Sequence, residues 1–135
     1  MSIKKQAAKD GSSSSLPKVV NLSRAFDTFS EHWSPRIAGE LNGQQVKLAK
    51  LKGEFVWHHH DHEDELFLVI SGELIIEFEQ GSIQLNPGEF CIIPRGIEHK
   101  PVARDEVEVM LFEPATTLNT GQVKNEFTRD SLNHI

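Results

Sequence analysis

The segment Trp57-His58-His59-His60-Asp61-His62-Glu63-Asp64-Glu65 crowds imidazoles and carboxylates into one short stretch. Such groups suit a divalent transition metal: imidazole supplies a nitrogen lone pair, and a carboxylate adds a hard oxygen donor that cancels one charge. On a strand, residues two apart share a face about 6.8 Å apart. His58 and His60 therefore converge, while His59 points the other way. Glu65 opens the next apolar run and can project back to the same side. His99 is the ready source of a fourth donor, because it follows Pro94-Arg95-Gly96, a turn able to return the chain toward the same place. A competing set, His60, His62 and Glu65, also meets the same-face condition and stays open at this level. Beside the set of His58, His60, Glu65 and His99, His59 and His62 read as solvated, and Asp61, Glu63, Asp64 and Glu98 as surface charge. Cys91 is expected to be buried between Phe90 and Ile92, and no base is oriented toward it for nucleophilic work.

The elements that must position these residues are mostly strands. Asn42-Gly43 between Arg36–Leu41 and Gln44–Leu51 is a strong short hairpin signal. Further β-forming runs are Glu54–His60, Leu66–Ile70, Glu73–Glu79, Ser82–Leu85, Glu89–Ile93, Pro101–Arg104 and Val107–Phe112. Tight punctuation separates them, for example Ser71-Gly72 and Asn86-Pro87-Gly88. About nine short, closely spaced strands predict an all-β sandwich or barrel, with no room for the helical crossovers of a parallel sheet. Phe67, Phe78, Phe90 and Phe112 read as core, and Trp57 as core or pocket lining. Before the strands, Leu22, Ala25, Phe26, Phe29 and Trp33 recur at helical spacing after the cap-type Asn21, predicting a short helix over Leu22–Trp33 that stops before Pro35. A second short helix is expected near Thr128. Residues 1–15, rich in Ser and poor in apolar side chains, read as a disordered tail. The barrel domain then spans 16–115, and an extension over 116–135 is expected to pack on or near it.

The metal-binding segment and its partner resemble the two motifs of the cupin superfamily. His58-x-His60, four residues, Glu65, six residues and Gly72 follow the first motif. Gly88, five residues, Pro94-x-Gly96, two residues and His99 follow the second. The likeness covers roughly Gly53 to Phe112. Two positions depart from it: Gly53 lies one residue nearer the first His than the motif asks, and Ala103 stands where the second motif commonly has Asn. The resemblance implies a double-stranded β-helix, or jelly-roll, with a short N-terminal helix. It also implies one divalent ion (Zn, Fe, Mn or Ni) on His58, His60, Glu65 and His99, with positions left for water or substrate. In overall look the chain is similar to small single-domain bacterial cupins of the mannose-6-phosphate-isomerase-like group.

The function expected on this basis is a metal-dependent enzyme, an oxygenase or isomerase, acting on a small polar organic molecule. A non-catalytic cupin that binds a small molecule or sugar, or stores metal, is the alternative. Metal-free epimerases of this fold use a His–Asp pair, against which the intact ligand set argues. A net charge of −6, with 14 basic and 20 acidic residues, disfavours nucleic-acid and anionic-membrane partners. No apolar run approaches the ~20 residues of a membrane helix. The polar N-terminus and lone cysteine lead to an expected cytoplasmic location. Self-association as a homodimer is expected through the Leu22–Trp33 segment or the first hairpin.

Overall fold

Asn42 and Gly43 both take positive φ, 51° and 77°. That is the backbone a two-residue hairpin turn of matching twist requires, so the turn closes β1 (Arg36–Leu41) on β2 (Gln44–Glu54). The structure, a computed structural model, describes residues 16–135; the tail expected over 1–15 lies outside them. Five more strands follow: β3 (Glu65–Ser71), β4 (Leu74–Phe78), β5 (Gly81–Leu85), β6 (Phe90–Ile93) and β7 (Lys100–Pro114). Every pairing among them is antiparallel.

Seven strands form where about nine were expected, and two merges or losses account for the difference. The runs Pro101–Arg104 and Val107–Phe112 are one strand of 15 residues, β7, which changes partners along its length. Its first part lies between β2 and β4, and its second part between β2 and β3. The exposed Arg104-Asp105-Glu106 marks that change, so the polar break in the pattern is a change of neighbours rather than a turn. The run Glu54–His60 is not a strand: β2 ends at Glu54, and only a single bridge from His58 to His99 follows. Sheet order is β1-β2-β7-β3-β6, with β4 joining β7 and β5 joining β4.

Alternate side chains of these strands fill one interior. Ala49 and Leu51, Phe67 and Val69, Leu74 and Ile76, Ile93, and Val107, Val109 and Leu111 are all buried together. Burial of each large apolar side chain contributes roughly 1.5–3 kcal/mol. Alternation in β6 sends Cys91 and Ile93 inward and leaves Phe90 and Ile92 more than half exposed, at 59% and 57%. Phe90 is therefore not core, and Cys91 is only half buried. Phe67 is core; Phe78 packs against it half-buried, and Phe112 is likewise half-buried. Gly72 has a φ of 85°, and a Cβ there would stand 2.7 Å from the Glu106 carbonyl, so the β3–β4 turn admits no side chain.

The N-terminal helix is shorter than its periodicity predicts. α1 covers Leu22–Phe26, with Asn21 Oδ1 accepting from the Arg24 amide at 2.9 Å. Past it, the Thr28 hydroxyl donates to the Ala25 carbonyl at 2.6 Å, a local competitor of helical continuation. Trp33 then adopts φ 59°, and its amide donates to the Lys50 carbonyl at 2.9 Å. A long-range backbone bond has outcompeted helical spacing. No helix forms near Thr128 among the described residues; Asn125 and Thr128 build turns instead, with Asn125 Oδ1 accepting from the Phe127 amide at 2.8 Å. This C-terminal segment lies over one end of the strands. Phe127 packs on Trp33 and Phe55, at ring separations of 6.4 and 5.3 Å. His134 makes a bridge to Ile37 of β1.

Candidate metal centre

Glu65 is the first residue of β3, and its side chain shares the inward face with Phe67 and Val69. His58 and His60 lie on the extended segment after β2, on its inward face. His99 comes from the turn before β7. Backbone bonds hold these pieces together: His58 and His99 exchange amide–carbonyl bonds of 3.0 and 2.9 Å, and the Gly96 amide donates to the His60 carbonyl at 2.8 Å. Asp64 then accepts from the Arg95 amide at 2.9 Å and from its guanidinium, clamping the two loops from outside.

The four side chains meet. Each of His58, His60, Glu65 and His99 is buried, and one ligand atom from each lies within 4.8 Å of the others. Ligand atoms around one ion at 2.0–2.2 Å lie up to roughly 4.4 Å apart, so this spacing is within a few tenths of an ångström of a shared centre. His62, the competing donor, is exposed and outside the group.

Second contacts aim the rings. His58 Nδ1 donates to the Val56 carbonyl and His99 Nδ1 to the Ile97 carbonyl, each at 2.9 Å. With the proton on Nδ1, Nε2 keeps its lone pair for a cation. The inner atoms have no partner within the protein: His60 Nε2, His99 Nε2 and Glu65 Oε1 are buried without a hydrogen bond. The two nitrogens stand 3.3 and 3.5 Å from Glu65 Oε1 but are not aligned to donate to it. Leaving three such atoms unsatisfied would cost about 1–3 kcal/mol each. A divalent ion would satisfy all of them at once, and the donor set of neutral nitrogens and one carboxylate fits it.

Electrostatics agree with that chemistry. Burial, and then the neighbouring His99, lower the His58 pKa to about 4, against the opposing pull of the Val56 carbonyl. The imidazole is thereby kept neutral, as a ligand must be. Burial pushes the Glu65 carboxyl up, but His60, His99 and Glu113 together outweigh it and hold it well below the usual range. Outside, Glu98 and then Asp61 raise the pKa of His59.

Sequence reasoning missed Lys47 and Glu113. Lys47 precedes Ala49 and Leu51 on the inward face of β2, and Glu113 follows Val109 and Leu111 on that of β7. Both are 2% exposed, and Lys47 Nζ donates to Glu113 Oε2 at 2.5 Å. One step beyond the Leu66–Phe112 pair, Glu113 comes beside Glu65 across the ladder. Burial and the Glu65 charge push its carboxyl well above the usual range, with Lys47 opposing. The available signal was the alternation itself: a charge at the next inward position of an apolar strand face. Glu65, Glu113 and His58 border a cavity of about 40 Å³. Its other walls are chiefly apolar, among them Trp33, Leu51, Phe55, Phe67, Val109 and Leu111. Trp57 takes no part: it is 43% exposed, with Lys100 Nζ 5.8 Å from its ring centre.

The family model of the cupin domain matches residues 45–113, just over half of the chain. This chain is a cupin. The cupin is 35% identical over 86 residues to the uncharacterised protein YdbB of Bacillus subtilis, a match spanning 63% of this chain and 76% of that one. Among solved structures it is similar to a cupin-2 domain containing protein of Shewanella frigidimarina, with 48% identity and a TM-score of 0.70. That match covers 71% of this chain and 94% of the other. It also shares its fold, at 19% identity and a TM-score of 0.60, with hydroquinone 1,2-dioxygenase PnpCD, whose structure was solved with Cd2+ and 4-hydroxybenzonitrile. The match covers 67% of this cupin and 69% of that chain. No helix among the described residues is long and apolar enough to cross a membrane.

Proposed function

We propose that this cupin holds one redox-active divalent transition metal (Fe, Mn or Ni) on His58, His60, Glu65 and His99, and acts as a metal-dependent dioxygenase on a compact organic substrate. The observation that carries the reading is the set of buried, unpartnered inner atoms beside an apolar cavity. Bound there, the metal supplies Lewis acidity and, if redox-active, one-electron chemistry toward dioxygen. Val56 and Ile97 hold two of the imidazoles in their ligating orientation. The aromatic and aliphatic walls lower the polarity around the site, which strengthens the polar contacts inside. A dioxygenase places both oxygen atoms in its product, so no outside reductant enters the balance.

Two features favour this over isomerisation of a sugar phosphate. About 40 Å³ is room for roughly three waters, hence for dioxygen or the reacting end of a ligand, not for a whole sugar. Among the described residues, no basic side chain lines the cavity, whereas Glu65 and Glu113 do. Apart from the metal itself, a phosphate would meet two carboxyl groups and no basic side chain. The small polar substrate expected from the sequence thus narrows to one with a polar reacting end and an apolar body. The fold shared with a dioxygenase is consistent with the reading.

The test is to load the protein anaerobically with iron, manganese, nickel or zinc and offer a panel of enediols, hydroxy acids and phenols under air. Substrate-dependent oxygen uptake, lost in His99→Ala, is the expected result. Aldose–ketose interconversion without oxygen uptake would replace this reading with the isomerase. Metal retention and ligand-induced stabilisation without any product would replace it with the non-catalytic binder.

A further inference from the structure

β3 and β6 are apolar on both faces: β3 runs Leu66-Phe67-Leu68-Val69-Ile70 and β6 runs Phe90-Cys91-Ile92-Ile93. An antiparallel strand with one face in water alternates apolar and polar residues, whereas an unbroken apolar run belongs to a strand covered on both sides. Register makes a surface of these runs. On the outward face, Val46, Phe112, Leu66 and Ile92 stand side by side across β2, β7, β3 and β6, and Leu48, Met110, Leu68 and Phe90 form the next row. The chain covers one end of this face itself, where Phe26 and Phe29 pack with Leu48, Ile70 and Met110. The other end is open, and Phe90 and Ile92 are more exposed than their row neighbours. By contrast, the outward face of β4 and β5 carries Glu77, Ser82 and Gln84 around Ile75.

We propose that the outward face of β2, β7, β3 and β6 is a homodimer contact, closed by a second copy of this chain. Residues 1–15, outside the described part, offer only Met1, Ile3, Ala7 and Ala8 as apolar side chains, too few to cover both rows. The chain carries a net charge of −6, yet neither row holds a charged residue. Two copies therefore repel least, and bury no unpaired charge, where this face meets itself. Its two ends bear both signs: Lys50 lies beside Glu108 at one, and Asp64 pairs with Arg95 at the other. Such a polar rim around an apolar centre is the ordinary anatomy of an interface, and a two-fold axis needs only this one surface. The size also suits a dimer. Four strands about 4.8 Å apart and five residues of about 3.4 Å give a face of roughly 20 by 17 Å. A rim one side chain wide brings it to the scale of the ~800 Å² that each partner of a stable complex buries. α1, expected from the sequence to pair across a dimer, lies instead on its own sheet.

Sedimentation velocity of the zinc-loaded full chain reads the mass, and a dimer is the expected species. In F90E/I92E, both changes fall at exposed positions, so the fold and zinc affinity should be kept. The dimer dissociation constant should rise at least about a hundredfold. L41E, at an equally apolar and exposed position of the first hairpin, should leave it unchanged. Should the double variant not fold, I92N carries the test and should raise the constant roughly tenfold. A monomeric wild type overturns the proposal, whether residues 1–15 or an unrelated partner then covers the face. A dimer indifferent to the β6 substitutions overturns it as well, and dissociation by L41E would move the contact to the hairpin.

Discussion

The inward and outward faces of the Trp57–Glu65 segment carry the same residue types but satisfy their polar atoms differently. On the outward face, Asp61 at 2.9 Å and Glu98 at 3.2 Å are the acceptors for the His59 ring, Asp64 binds Arg95, and Glu63 accepts from the Thr116 hydroxyl at 2.9 Å. On the inward face, His60, Glu65 and His99 leave buried atoms with no partner. Exposed pairs contribute little to stability, about 0–1 kcal/mol each. Buried unpaired groups cost more than that, and a fold keeps them only where something else completes them. Alternation along the extended chain separates His58 and His60 from His59, and the bend at Asp61 and His62 leaves His62 exposed despite its inward parity.

The sharpest break of that contrast is His99→Ala set against His62→Ala. Partners outside the ligand sphere are worth 10–100-fold in metal affinity, so losing a ligand should cost on the order of a thousandfold. His62→Ala should leave affinity unchanged. Equilibrium dialysis with zinc checks both, and equal losses would restore the competing ligand set.

Next in size is the response of the metal-free protein to pH. His58 has a folded pKa lowered to about 4 from 6.5, so its neutral burial contributes stability above pH 6.5. That contribution is lost as pH falls from 6.5 toward 4, because the unfolded chain takes up the proton first. The loss should approach about 3 kcal/mol at most. Urea titrations across that range measure it, and saturating zinc should move the loss to lower pH.

A smaller effect is expected from Gly121→Ala. Gly121 has φ 61°, and a Cβ there would stand 2.0 Å from the His59 carbonyl oxygen and 3.3 Å from the His58 ring. The substitution should destabilise by about 2 kcal/mol and weaken zinc binding, since the C-terminal segment and the ligand segment must separate. Thermal unfolding with and without zinc reads both consequences. Smallest of all, His59→Ala should change stability by less than about 0.5 kcal/mol and leave zinc affinity alone. A large effect there would erase the difference between the two faces.

Local chemistry was enough to find the hairpin at Asn42-Gly43, because Asn-Gly readily supplies the two positive φ values of a type I′ turn. Short β-forming runs separated by tight turns made an all-β sandwich or barrel legible, and the resemblance of the two His-containing motifs pointed within that class to the cupin fold. The spacing of His58, His60, Glu65 and His99 named a coherent donor set, but two sets satisfied the same alternation. Burial of His99 and exposure of His62 separated them, and exposure belongs to the assembled sheet.

What lay outside the reach of pattern has one physical cause. Trp33 leaves the helix its spacing suggests because a backbone bond to Lys50 and stacking on Phe55 at 4.6 Å are made with residues far along the chain. Phe90 faces outward because β6 is aligned by β3, not by its own hydrophobicity. Lys47 and Glu113 are distant in sequence and meet only where β2 and β7 are in register. Sequence alone determined the strand-forming runs, the turns and the types of donor atom. Tertiary structure decided which side chains share an interior, because register between distant strands is set by the whole sheet.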